Sequence, residues 1–268
     1  MTPRYFSLSI QYWSALLLGF CALTSTVCLA DVHFQSGEKP VHVIELYTSE
    51  GCYSCPPADQ WLSELQDNKG LFTEFIPVSF HVDYWNYLGW RDTYSRAEFS
   101  ERQRRYYRLG QVTGVYTPGM FINGFEWTLW RRREAEKFAH IDKKLPDQIG
   151  RLTLQHTDTQ TSVTFLPSAS TDKSTAPAFA YVAILGAGID APIPRGENKG
   201  KTLRHDFAVL ELKRTELKQQ SDGSYTSQLP VVATSHSAPR YALAAWVTGS
   251  KDNKPLQATG GWLPDNDH

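Results

Sequence analysis

Residues 41–67 read VHVIELYTSEGCYSCPPADQWLSELQD, and this stretch decides what fold to expect. Val41, Val43, Ile44, Leu46 and Tyr47 form a short β-rich apolar run that ends in Thr48-Ser49-Glu50-Gly51, which is turn and N-cap material. Pro56 and Pro57 suit the first turn of a helix, along which Trp61, Leu62 and Leu65 fall at helical spacing. Cys52 and Cys55 therefore stand where a strand hands over to a helix.

Outward from this point, residues 75–82 (FIPVSFHV) read as a second buried strand, and the segment from Arg96 to Leu109 as a charged amphipathic helix marked by Phe99, Arg102, Gln103 and Tyr106. A third strand is expected from Gly119 to Asn123, after the turn at Tyr116-Thr117-Pro118, with Asn123-Gly124 as a hairpin turn into Phe125, Glu126 and Trp127. Helical patterning resumes over 131–145. Beyond about residue 150, strand-like runs (151–155, 162–166, 179–185, 207–212 and 241–247) alternate with polar turns, and helical periodicity nearly vanishes. A β-rich second unit follows from that change.

The thiol pair has a chemical use in this position. Exposed N–H groups and the positive dipole end of a helix stabilise a thiolate, so Cys52 is placed to attack a disulfide and Cys55, one turn on, to resolve the mixed disulfide. A cis proline at Pro118 would hold the backbone of Thr117 open beside the cysteines, for an incoming peptide to pair with as an extra strand. Glu45, seven residues before Cys52 on the incoming strand, is a candidate proton acceptor for Cys55.

A strand, Cys-x-x-Cys opening a helix, then Thr-Pro before a strand ending in Asn-Gly resembles the thioredoxin fold as disulfide oxidoreductases use it. Four longer phrases, ELYTSEGCYSCPPAD (45–59), SFHVDYWNYLGWRD (79–92), VYTP (115–118) and RGENKG (195–200), resemble the bacterial exported family catalogued as domain of unknown function 1223. The resemblance spans essentially the whole mature chain. It implies a thioredoxin-like fold and a periplasmic or secreted location; with the strand and helix patterns above, an α/β thioredoxin-like domain is expected over 31–150, with a helical insertion at about 83–114, followed by a β-rich, sandwich-like domain over 151–268. Tyr53-Ser54 replaces the usual Gly-Pro between the cysteines, and Pro56-Pro57 follows them, so no redox potential carries over. The aromatics Tyr84, Trp85, Tyr87 and Trp90 either roof the cysteines or pack an inserted helical layer.

Length and composition set the outer bounds. The chain has 268 residues, 41% hydrophobic and 21% charged, with a net charge of -1, a globular composition that draws neither nucleic acid nor an anionic membrane. Arg4, the apolar run Trp13–Leu23 and TSTVCLA read as a signal peptide over residues 1–30, cleaved near Ala30, because 11 apolar residues fall short of the roughly 20 that span a bilayer. Cleavage removes Cys21 and Cys28 and leaves Cys52 and Cys55 as the thiols of the mature chain. No stable membrane span remains after it.

The expected activity is thiol–disulfide exchange on cysteine-containing proteins or small disulfides, with an unidentified redox partner and no cofactor beyond the Cys52–Cys55 pair. Two alternatives stay open. One is metal handling, with Cu(I) held by Cys52, Cys55 and His81, a residue that strand alternation places on one face with Asp83. The other is a non-catalytic envelope module with a structural disulfide. The polar run from Arg195 to Lys201, with His205 and Asp206 beyond it, reads as a solvated hairpin turn, with docking against the first domain or a partner as the alternative. The clusters Arg102–Arg108 and Arg131–Arg133 read as solvated helix faces.

Overall fold

A computed structural model describes residues 31–132, 146–169, 171, 176–251 and 253–264. The expected signal peptide and nearly all of the helix expected over 131–145 lie outside them. In chain order the elements are β1 (Val32–Gln35), β2 (His42–Thr48), α1 (Pro56–Ser63), β3 (Phe75–His81), α2 (Ala97–Arg108), β4 (Gly119–Ile122) and β5 (Phe125–Glu126). Then come β6 (Gly150–His156), β7 (Gln160–Pro167), β8 (Pro177–Ala187), β9 (Ile189–Pro192) and β10 (Thr202–His205). The last are β11 (Ala208–Glu216), β12 (Lys218–Gln219), β13 (Tyr225–Pro230), β14 (Arg240–Gly249) and β15 (Pro255–Trp262).

These strands overturn the expected fold class. An α/β thioredoxin-like domain followed by a separate sandwich is not what forms. The chain is predominantly β, and its main sheet runs β15-β14-β8-β11-β3-β2-β4-β5, joining strands from both halves of the sequence. The seam is the parallel contact of β11 with β3, where Ala208 pairs with Ser79 and the Ser79 amide donates to the Phe207 carbonyl at 2.8 Å. A five-stranded sheet, β1-β6-β7-β13-β12, packs against it, with β1, the first described strand, paired to β6. Strand pairing across the halves satisfies edges that two separate domains would each have left open.

Period-two alternation explains the layers. On β8, Ala180, Val182 and Ile184 pack with Leu152, Leu154, Val163 and Phe165 of the smaller sheet. Tyr181, Ala183 and Leu185 turn the other way, into the core that holds the helices. In α2 the buried positions Phe99, Arg102, Gln103 and Tyr106 form one stripe at helical spacing. The hairpin expected at Asn123-Gly124 forms with positive φ at both residues (48° and 77°), the geometry of a type I′ turn.

Candidate functional site

Cys52 and Cys55 form a disulfide with Cα atoms 5.4 Å apart. Cys55 is the N-cap of α1, so both cysteines lie in the turn ahead of the helix rather than inside it. Pro56 and Pro57 occupy its first positions and carry no N–H, while the amide of Ala58 donates to the Cys55 carbonyl at 2.8 Å. Helix amides thus offer a Cys52 thiolate little. The nearest polar neighbour is the Ser54 hydroxyl, 3.6 Å from Cys52 Sγ. Both cysteines are buried, whereas Tyr53 and Ser54 between them are exposed.

The Thr117–Pro118 peptide is cis. Tyr47 pairs with Gly119 in the β2–β4 ladder, which sets Pro118 beside the end of β2, from which the cysteine turn departs. Trp85 ties the two turns together: its indole N–H donates to Thr117 Oγ1 at 2.7 Å, and its Cβ lies 3.1 Å from where a Cβ on Gly51 would stand. Of the other aromatics in this segment, Trp90 donates to Glu50, Tyr84 donates to Gln103, and Tyr87 is exposed.

Glu45 lies on the opposite face. Its carboxylate accepts from Tyr47, from Tyr106 and twice from Arg102, at 2.7–2.9 Å, on the side of the sheet that α2 covers. Thr48, three residues on and therefore on the other face, donates to Asp59 of α1 at 2.9 Å. The structure thus brings Thr117 and Pro118 to the cysteine turn and holds Glu45 in a buried ion pair away from it.

Behind the cysteine turn lies a cluster that the sequence reading missed. His81, paired with Thr48 across β2 and β3, meets the Asp92 carboxylate through Nδ1 at 2.8 Å. The same Asp92 oxygen accepts from the Glu50 amide at 2.8 Å. The Glu50 carboxylate contacts His205 Nε2 at 3.2 Å and accepts from the Trp90 indole at 2.6 Å. The rings of His81 and His205 stand 4.7 Å apart. Burial pulls the His81 imidazolium down, but the Asp92 carboxylate outweighs it and lifts the group to about 9. For Asp92, burial opposes and the His81 charge prevails, so its carboxyl falls below the usual range. Desolvation pushes Asp59 up to about 6, against the charges of His205 and His81. Asp59 keeps a partly accessible surface although protein surrounds it.

Asp83 does not share His81's surroundings, because β3 ends at His81 and Asp83 turns instead to Ser100 of α2. Among the described residues no group of three His, Cys, Asp or Glu side chains is arranged to hold a metal ion.

The Arg195–Lys201 run is largely exposed, as a solvated turn would be, yet it also docks on the cysteine turn. Asn198 is fully buried, and its amide donates to the carbonyls of Glu50 and Cys52 at 2.9 and 3.0 Å. Glu197 accepts from the Tyr53 amide at 3.2 Å, and Lys201 lies over the Tyr53 ring at 4.6 Å. Arg102, expected on a solvated face, is buried as well. The signal for these partners was already present in the phrases SFHVDYWNYLGWRD and RGENKG, but not which residues they would meet.

The fold and site define a β-rich protein with a buried Cys-x-x-Cys disulfide set against a histidine–carboxylate cluster. The family described as Protein of unknown function (DUF1223) matches residues 43–248, and the chain belongs to it. No curated protein matches the chain. Among solved structures, a structural-genomics crystal structure from Agrobacterium tumefaciens is 24% identical with a TM-score of 0.57, over 87% of this chain and 98% of that one. HBP35 of Porphyromonas gingivalis is 13% identical with a TM-score of 0.52, over 86% of this chain and 77% of that one. Both likenesses concern the fold. Among the described residues no helix is long and apolar enough to cross a membrane.

Proposed function

We propose that this chain is an exported thiol–disulfide oxidoreductase acting on disulfides of proteins or small molecules. Cys52 is the attacking thiol, Cys55 the resolving thiol, and Thr117-Pro118 the backbone clamp for the substrate. The observation that carries this assignment is the Cys52–Cys55 disulfide itself, placed in an exposed-edged turn ahead of α1 with the Ser54 hydroxyl beside Cys52 Sγ. A loop of this length gains little closure entropy, which makes the bond a poor staple for a chain of this size. The N-terminal pattern of Arg4 followed by an apolar run supports export, where such a bond persists. The direction of transfer follows from the partner's potential, since about 30 mV already corresponds to 1.4 kcal/mol.

The test is alkylation of the reduced mature protein against pH. With the Ser54 hydroxyl, rather than helix amides, beside its sulfur, Cys52 is expected to titrate below the roughly 8.5 of a free thiol, and a Cys55→Ser variant is expected to accumulate mixed disulfides through Cys52. A Cys52 with an ordinary thiol pKa, in a pair that dithiothreitol does not reduce, would overturn the assignment.

A further inference from the structure

Resolution of a mixed disulfide needs a base for the second thiol, and Glu45 is turned to the far face of the sheet and held by Arg102, Tyr47 and Tyr106. On the near face the backbone points elsewhere. Cys55 has helical dihedrals (φ -79°, ψ -36°), and the Asp59 amide donates to its carbonyl at 3.2 Å. Residues four apart in that geometry share one face, with Cβ atoms about 5–6 Å apart. The Asp59 carboxylate accepts from Thr48 Oγ1 through Oδ2, and its Oδ1 has no hydrogen-bond partner among the described residues.

We propose that Asp59 is the proton acceptor for the resolving thiol Cys55. This deepens the thiol–disulfide assignment and rests on it. In the reduced protein, the Cys52 thiolate attacks a substrate disulfide, forming a Cys52 mixed disulfide and expelling one substrate thiolate, which takes a proton from water. The Cys55 S–H proton then passes to Asp59. The Cys55 thiolate attacks Cys52 Sγ, closing the Cys52–Cys55 disulfide and expelling the second substrate thiolate, which recovers the proton. The substrate disulfide is reduced to two thiols and the protein dithiol is oxidised; an external dithiol restores it.

The surroundings suit a base that must work near neutrality. Thr48 faces Asp59 from β2, and the His81–Asp92 pair reaches it from β3 and the loop beyond. His205, held by Glu50, faces it from β10. Burial raises the Asp59 carboxyl to about 6, so it is ionised at neutral pH yet more basic than an ordinary carboxylate.

The experiment mixes the reduced protein with bis(nitrobenzoate) disulfide and follows the two coloured thiol releases by stopped flow. The first reports attack by Cys52, and the second reports resolution by Cys55. In the natural protein the second release is expected to slow as pH falls through about 6. Asp59→Asn is expected to slow that release about 10-fold or more at neutral pH and to erase the inflection, leaving the first release unchanged. Thr48→Val, which keeps the carboxylate but removes its hydrogen bond, is expected to move the inflection to higher pH. Asp59→Asn with the natural second release and pH profile overturns the proposal, as does an unmoved inflection in Thr48→Val. Absence of the first release from the natural protein overturns the thiol–disulfide assignment itself, and so tells the two failures apart.

Discussion

His81 shows how one buried residue can tie stability to pH. Its folded pKa of about 9 lies above the usual 6.5 because Asp92 holds the imidazolium against the cost of burial. The folded state therefore binds the proton more tightly than the unfolded chain does. Stability from this pair is complete below pH 6.5 and is lost as pH rises through about 9, a change on the order of 3 kcal/mol. Chemical denaturation between pH 6.5 and 9.5 is expected to show this decline, and Asp92→Asn is expected to flatten it. A decline of the same size in Asp92→Asn would dissociate it from the pair. Asp59 acts with the same sign at lower pH: burial disfavours its charged form, so stability falls as pH rises from about 4 through about 6.

At the scale of the element, α2 is held by one cation. Arg102 donates to Glu45 from Nε and Nη2, and its guanidinium lies 4.9–5.5 Å from the ring centroids of Tyr181, Phe80 and Trp246. This contact links a helix between β3 and β4 to strands β8 and β14 of the second half. Arg102→Met leaves the Glu45 carboxylate buried with only tyrosine hydroxyls as partners, and is expected to cost about 3–5 kcal/mol in urea unfolding. The double variant Arg102→Met, Glu45→Gln is expected to recover much of that loss, because the stranded charge is gone. If the double variant is as unstable as the single, the cost lies in lost packing. Much of this element was legible: the run from Arg96 to Leu109 matches Ala97–Arg108 closely, since its apolar stripe has a clear helical period. The solvation assigned to Arg102 was not, because a sequence does not show that an acid on a strand will face it.

At the scale of the whole molecule, the halves share one sheet. Residues 31–150 alone would leave the β3 edge without β11 and would lose Tyr181, Trp246, Asn198 and His205 from the surfaces they cover. That fragment is expected to show no cooperative unfolding transition by circular dichroism, whereas the chain from residue 31 onward is expected to unfold in a single one. A cooperative transition in the fragment would show that the first half is an independent folding unit.

The sequence by itself determined the local elements and the cysteine spacing. Strand runs at 41–47, 75–82 and 119–123, the Asn123-Gly124 turn and the pairing of Cys52 with Cys55 all follow from neighbours within a few residues, where periodicity, turn propensity and thiol spacing act. Only the tertiary structure decided which strands became neighbours, and so the fold class. The join of β11 to β3 rests on groups more than a hundred residues apart, and no local pattern encodes that pairing. The same holds for the placement of the carboxylates. Glu45 and Asp59 each stand seven residues from Cys52 in sequence, but alternation along β2 sends one to α2 while the first turn of α1 keeps the other on the face of Cys55. Which carboxylate stands on the cysteine side is a matter of sheet face, and a face has consequences only once something packs on each side of it.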